Sequence, residues 1–361
     1  MGNICNNSKI SVTENVVEEK NNSTPAAPVA PPSIQPRPAT ALPDDDGEGI
    51  LRLLLLGAAE SGKTTLLEQI RMLHKQNFTE YELIHRRAFI YNNIMHSMKA
   101  IILNAQKNQY SLLTENEFRA KTIINNADEC LGRLTEEEYD AIINLWQDPG
   151  IQEAYTHRGE YNLNDSAKYF FDAMERINKP DFHPTPSDLI RAYVPTIGIQ
   201  NIVFNAKKRT FQLLDIGGQK VDRRKWATMY DGIDAIFFCS AISEYDQSFE
   251  DDDDQSRLMD SLELLEQICN EPKFQNTPIF IFLNETDVLK EKLLTFPLEN
   301  HFPEYTGNTE AEALEFLKAK VKERCTNHPN NLFIEFICAV ENETMAKILD
   351  KVFKKLLQLV K

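Results

Sequence analysis

Apolar and polar positions divide the chain into three stretches with different periods. Residues 6–48 carry Asn and Ser, then a Pro- and Ala-rich run (PAAPVAPPSIQPRPATALP), then Asp44–Asp46. They show no apolar periodicity and many helix-blocking prolines, so 1–48 is expected to be disordered, with at most a short helical piece over 13–20. A strand-like apolar run covers Ile50–Leu56, and helical spacing follows at Leu66, Leu67, Ile70 and Leu73. Phe78–Lys107 continues with Tyr81, Ile84, Phe89, Ile90, Ile94, Met98, Ile101 and Ile102 on one helical face. Shorter helical patterns lie at 115–129, 135–146, 149–154 and 164–177, and Thr135 with Glu138 reads as a capping box. Pro180, Pro184 and Pro186 end this region, so 77–187 is expected to be an all-helical insert.

Strand patterns resume at Ile199–Phe204 and Thr210–Leu214, with Asn205–Arg209 as a tight turn of a hairpin. Ala235–Cys239, Pro278–Leu283 and Leu332–Ile337 are short apolar runs of the kind found in buried parallel strands. Helical patterns at 255–269, 310–325 and 341–359 alternate with them. Alternation of this kind predicts a doubly wound α/β sheet built from 49–76 and 188–361. The acidic run Glu250–Asp254 reads as a solvated loop ahead of the next helix, in preference to a metal site.

Composition narrows the picture. At 361 residues the chain has ample length for one or two domains with real cores. A formal charge of −16, with no basic stripe, argues against a nucleic-acid partner. No apolar run approaches the ~20 residues of a membrane span, and the polar first residues are no secretory leader. The six cysteines are scattered without a C-x-x-C pair, which fits a reducing compartment and predicts neither a disulfide framework nor a zinc site.

The chemistry concentrates where the first strand meets its helix. Gly57–Thr64 reads G-x-x-x-x-G-K-T. That spacing lets the backbone curl so that successive N–H groups hold phosphate oxygens, with the dipole of the following helix aimed at the same place. Lys63 can reach the β- and γ-phosphates, and the Thr64 hydroxyl can ligate Mg²⁺. Further on, Asp215-Ile216-Gly217-Gly218-Gln219 closes a strand. An Asp there can hold the shell of a Mg²⁺ ion through water, the glycines let backbone approach a γ-phosphate, and Gln219 can orient an attacking water.

These residues belong to a longer likeness. GAAESGKTT, the LNDSAKYF stretch from Leu163, DLIRAYVPTIGI from Asp188, LLDIGGQKVDRRKW from Leu213, FFCSAISEYD from Phe237, FLNETD from Phe282 and the ICAV stretch at Ile337 together resemble the α subunit of heterotrimeric G proteins, over nearly the whole chain after residue 48. The resemblance implies a Ras-like GTPase domain with an inserted helical domain covering the nucleotide, and a GDP/GTP switch coupled to receptors. It assigns Glu60, Ser61, Gly62, Lys63, Thr64 and Thr65 to the phosphates, with Gly57, Ala58, Ala59, Asp165, Ser166, Ile190, Arg191, Gly217 and Gly218 also at the nucleotide. Thr64 and Thr196 become Mg²⁺ ligands, with Asp215 acting through water. Asp287 holds the guanine ring, Asn284 braces the loop, Glu285 lies beside them, the Ala339 N–H reads the base oxygen, and Gln219 positions water.

The chain also departs from that pattern. Ala59 stands where the family has the second glycine of G-A-G-E-S-G-K-S/T, and its methyl crowds the γ-phosphate. Tyr193 occupies the arginine-finger position, although Arg191, two residues earlier, is a possible substitute if the backbone there is extended. Pro195 replaces a basic residue, N-K-x-D has become Asn284-Glu285-Thr286-Asp287, and T-C-A-T has become Ile337-Cys338-Ala339-Val340. The family's βγ-docking N-terminal helix is replaced by the Pro-rich segment, so βγ binding is expected to weaken while the surface at Arg223, Arg224, Lys225 and Trp226 remains. Met-Gly-Asn-Ile-Cys-Asn at the start matches the acylation pattern imperfectly, because Asn6 stands where Ser or Thr is preferred. On the resemblance, acylation of both Gly2 and Cys5 is expected, with the protein at the cytoplasmic face of the plasma membrane and in the cytoplasm. Two functional readings stay open: a signalling GTPase with impaired hydrolysis, or a nucleotide-binding or scaffold protein on the same fold that no longer cycles.

Overall fold

The computed structural model describes residues 49–76, 78–130, 132–196, 198–249, 252–328 and 331–360. The Pro-rich segment, the helical piece over 13–20, Gly2 and Cys5 lie outside the described residues.

In chain order the elements are β1 (Leu51–Leu56), α1 (Lys63–Leu73), α2 (Glu80–Lys107), α3 (Asn116–Asn126), α4 (Glu136–Trp146), α5 (Pro149–Thr156), α6 (Ala167–Asp172), α7 (Met174–Ile177) and α8 (Pro186–Arg191). Then come β2 (Ile199–Ala206), β3 (Arg209–Ile216), α9 (Lys220–Arg223), β4 (Ala235–Ala241), β5 (Ser248–Phe249), β6 (Asp252–Ser256) and α10 (Arg257–Cys269). The last five are β7 (Ile279–Asn284), α11 (Thr286–Lys292), α12 (Glu310–Arg324), β8 (Leu332–Phe336) and α13 (Asn342–Leu359).

Six strands form one sheet in the order β2-β3-β1-β4-β7-β8. Only the β2–β3 hairpin is antiparallel, and its turn puts both Lys207 (φ 52°) and Lys208 (φ 65°) in the left-handed region, as a two-residue hairpin loop requires. Strand period sorts the apolar residues to two faces. Leu53 and Leu55 of β1 join Leu66, Ile70, Phe237 and Phe353 under α1 and α13, while Leu54 and Leu56 join Phe238, Ile281, Leu265 and Leu317 under α10 and α12. Both faces are thus covered, which explains why the central strands read as continuous apolar runs. Helices α2–α7 enclose a separate core around Ile94, Met98, Ile102, Leu145 and Phe170. The expected capping box forms at Thr135 and Glu138, and others at Thr79 and Glu82 and at Thr309 and Glu312 add to it.

Three expectations need correction. The acidic run does not stay a loop: Asp252–Ser256 is a strand that pairs antiparallel with Ser248–Phe249, because the chain doubles back on itself before α10. The helix expected over 164–177 breaks into α6 and α7 at Ala173, and its first residues form a turn in which the Ser166 N–H donates to Asn164 Oδ1 at 2.8 Å. Cys269 and Cys325 are joined in a disulfide, since the C-terminal ends of α10 and α12 bring their Cα atoms to 5.5 Å, inside the bonding range. Their 56-residue separation hid that proximity from the sequence.

Candidate nucleotide-binding site

The carboxyl ends of β1, β3, β4, β7 and β8 open into a cavity of about 430 Å³. At one end is the curled loop 57–65. Gly62 sits at φ +89°, and a Cβ there would collide with the Asn284 amide, so only glycine fits. α1 begins at Lys63 with no side-chain cap, leaving first-turn N–H groups free for an anion. Lys63 is almost wholly buried and turns back on its own loop, donating to Ala58 O and lying 3.5 Å from Ser61 Oγ. Burial lowers its pKa, against the opposing pull of Asp215.

Three oxygens converge beside it. Thr64 Oγ1 lies 2.8 Å from Thr196 Oγ1 and 3.4 Å from Asp215 Oδ2. Asp215 is fully buried, burial raises its pKa to about 6, and its Oδ1 has no partner. Two hydroxyls and one carboxylate fit a Mg²⁺ ion that keeps waters and phosphate oxygens, and do not fit zinc. Among the described residues no cluster of three His, Cys, Asp or Glu is arranged as an all-protein metal cage.

Gly217 and Gly218 carry the chain past this point. A Cβ on Gly218 would strike Lys63 Nζ and the Ala58 backbone, which accounts for the glycine there. The turn is held from outside: Arg223 pairs with both oxygens of Asp260 at 2.9 and 2.6 Å and donates to Gly218 O at 3.0 Å, and the Trp226 indole donates to Gly217 O at 3.1 Å. Gln219 is exposed at the cavity rim. Of the expected partner surface, Arg224 and Lys225 are exposed, but Trp226 is buried and Arg223 is tied to α10.

On the facing side, Thr65 Oγ1 donates to Ile190 O at 3.3 Å and joins α1 to α8. Arg191 is the last residue of α8 and not part of an extended segment, so the same-side alternation with Tyr193 is absent. Its guanidinium stacks on Tyr169, 4.5 Å from the ring centroid. Tyr193 is half-buried and faces Glu60.

The rest of the wall is built from four separate segments. Asn284 does brace the loops: Nδ2 donates to Ser61 O at 3.2 Å, and Oδ1 accepts the Ala339 N–H at 3.0 Å. The Ala339 donor expected to face a base oxygen is therefore engaged by Asn284. Asp287, in the first turn of α11, lines the cavity together with Cys338, Asp165 and Ser166. Glu285 accepts from Ser243 Oγ. Its carboxyl is held well above the usual range by burial and by the charges of Asp165 and Glu244.

A family profile described as G-protein alpha subunit matches residues 35–356. The chain is 45% identical over 323 residues to the guanine nucleotide-binding protein alpha-13 subunit of Caenorhabditis briggsae, covering 89% of this chain and 93% of that one. The Caenorhabditis elegans alpha-13 subunit is 46% identical over 312 residues (86% and 90%), and the G(o) subunit alpha of Locusta migratoria 36% over 306 residues (84% and 86%). The chain belongs to the G-protein alpha subunit family.

The members of this family are nucleotide-binding signal transducers and GTPases. Among the described residues of this Gα-family chain, no helix is long and apolar enough to cross a membrane. The structure also adds residues that the sequence reading missed. Arg257, at the start of α10, lies 2.7 Å from Glu60 Oε2, 2.7 Å from Glu244 Oε1 and 3.4 Å from Ala59 O. Asn93 of α2 holds the backbone of Tyr193, and Arg86 pairs with the buried Glu68 under α1. None of these three sits in a local motif. The capping-box pattern that located the helix ends gives no hint of which helical side chains turn inward.

Proposed function

We propose that this Gα-family chain is a guanine-nucleotide switch: it binds GDP and GTP with Mg²⁺, relays signals from transmembrane receptors, and hydrolyses GTP slowly. The observation that carries the reading is one cavity holding both a complete phosphate cradle and Asp287. Loop 57–65 and Lys63 bind the phosphates, Thr64 and Thr196 would hold the metal with Asp215 acting through water, and Asp287 pairs with guanine N–H groups. Bound there, Mg²⁺ neutralises charge on the phosphate oxygens. Gln219 orients water at the rim. Slow turnover follows from Tyr193: its phenol is pushed up to about 12 by burial and by Glu60, so it stays neutral and offers no positive charge to the transition state. The Ala59 methyl adds crowding, and Arg191 is occupied on Tyr169. Residues 77–187 act as an inserted helical domain over a GTPase domain of 49–76 and 188–361.

A non-cycling scaffold is the second reading, favoured by the carboxyl crowding at Glu285 and by the engaged Ala339 N–H. Calorimetric titration with GDP, GTP and ATP at millimolar Mg²⁺ separates the two: guanine nucleotides are expected to bind and ATP much more weakly, whereas no guanine-nucleotide heat would leave the scaffold reading. Partners in the switch reading are a βγ dimer, bound weakly, a receptor and an effector. Membrane attachment needs both Gly2 and Cys5 acylated, because one acyl chain binds only marginally. Gly2→Ala or Cys5→Ala alone is expected to move most of the protein to the soluble fraction, and unchanged fractionation of both variants would remove the acylation claim.

A further inference from the structure

We propose that Cys325 is a reversible thiolation site: a small anionic thiol enters the lysine-rimmed groove between α12, β8 and α13, opens the Cys269–Cys325 disulfide there, and is left bonded to Cys325. The inference is independent of the nucleotide reading.

The groove is a cavity of about 990 Å³ that shares no lining residue with the nucleotide cavity. Its volume is at the upper end of the range for small-ligand sites. Phe280, Phe333 and Val352 form part of its wall, and Cys325 forms another part. Cys269 is not in that wall and packs in the core beneath α10 and α12. A thiol arriving through the groove therefore meets Cys325 first.

Charge selects the thiol. Five lysines stand in the wall against two carboxylates, Glu335 and Asp350, in a chain of formal charge −16. Lys351 and Lys354 pair with those carboxylates at 2.7 Å each, and Lys318 pairs with the exposed Glu315 at 3.0 Å. Lys318, Lys322 and Cys325 follow one another at helical spacing along one face of α12. The attacking form is a thiolate, so cations beside the sulfur favour its approach. They matter more here because Cys269 ends α10 and Cys325 caps the end of α12, and the negative end of a helix dipole disfavours the thiolate that has to leave.

In the step, the incoming thiolate bonds to Cys325 Sγ, the bond to Cys269 breaks, and Cys269 leaves as a thiolate that takes a proton from water. Attack by the Cys269 thiolate on the mixed disulfide expels the small thiol and closes the bond again, so the cycle consumes no further oxidant. The two helices stay joined meanwhile: Arg324 Nη1 donates to Glu266 Oε2 at 2.7 Å and Asn327 Nδ2 to Asn270 Oδ1 at 2.6 Å. Cys130, Cys239 and Cys338 are free thiols, which sets this pair apart from a structural disulfide framework.

The test uses the purified full-length chain and glutathione, whose carboxylates outnumber its ammonium, with 2-mercaptoethanol as the neutral control. Opening is followed by alkylation of freed thiols and peptide mass mapping. Reduced glutathione is expected to free Cys269 for alkylation and to leave its adduct on Cys325. Cys269→Ser cannot reclose the bond and is expected to accumulate the Cys325 adduct under oxidised glutathione. The double variant Lys318→Gln/Lys322→Gln is expected to slow opening by glutathione about fivefold and to leave opening by 2-mercaptoethanol unchanged. An adduct on Cys269 in the wild type, or none on Cys325 in either protein, overturns the site. A wild type isolated with both thiols free, which oxidised glutathione neither closes nor modifies, overturns it as well. Equal slowing with both thiols, or slowing with neither, overturns the lysine groove as the route of entry.

Discussion

The two ends of the cavity are built differently. The part proposed to hold phosphates is one contiguous stretch, 57–65, whose available groups are mostly backbone N–H set by two glycines and a helix start. The part proposed to hold the base is assembled from Asp165, Ser166, Glu244, Asn284, Glu285, Asp287 and Cys338–Val340, which meet only in the fold. Backbone chemistry tolerates a changed side chain such as Ala59, because the curl survives. Side-chain chemistry has no such reserve, and Glu285 shows the result: a carboxyl among Asp165 and Glu244, steadied by Ser243.

If that contrast is right, the largest loss should come from the phosphate end. Lys63→Ala is expected to weaken GDP binding at least about a hundredfold, on the order of 3 kcal/mol, by calorimetry at millimolar Mg²⁺. A loss smaller than tenfold would mean that the loop is not the dominant site.

Next in size is turnover, measured in single-turnover assays with preloaded GTP. Tyr193→Arg should raise the rate at least about tenfold, worth ~1.4 kcal/mol of barrier. Arg191→Ala should leave the wild-type rate unchanged, since its guanidinium is stacked on Tyr169. A collapse of the rate in Arg191→Ala would show that this arginine leaves Tyr169 during the reaction.

The smallest effect belongs to the base end and sharpens the comparison most. Glu285→Lys replaces a crowded carboxyl by a cation facing Asp165 and Glu244, and should tighten GDP binding roughly fivefold, ~1 kcal/mol. It also predicts a pH effect. The raised pKa of Glu285 means that its protonated form is the one the folded state favours. Its contribution is full below the ordinary carboxylate value and is lost as pH rises through the raised one. Glu244, pushed up to about 8 by burial against the pull of Arg257, behaves in the same direction. Lys292 and Arg257 face the same cluster as the balancing cations. Nucleotide-free protein should therefore melt at a lower temperature at about pH 8.5 than at about pH 6, and Glu285→Lys should shrink that difference. An equal slope in both proteins would place the effect elsewhere on this acidic chain.

Most of the fold was legible in the sequence because its elements are locally determined. Ile199–Phe204 and Thr210–Leu214 alternate around a turn and form the hairpin, and Leu53–Leu56 divides between the two cores by period alone. The phosphate loop was legible for the same reason. What stayed hidden depends on distant contacts. Nothing near Arg257 marks it as a neighbour of Glu60, and nothing near Cys269 points to Cys325. The acidic run misled because its charge suggested a solvated loop, while pairing with Ser248–Phe249 made residues 252–256 a strand. Arg191 misled because the extended backbone on which its substitute role depended turns out to be the end of a helix.

Asn284 touches Ser61 O with one arm of its amide and the Ala339 N–H with the other. Loop 57–65 and the loop at Ala339 therefore share one crossbar about one side chain long. Whatever shifts Ala339 tugs on Ser61. Substitutions at the two ends of the cavity should not contribute independently, and the interaction term in a double-mutant cycle across them would measure how stiff that crossbar is.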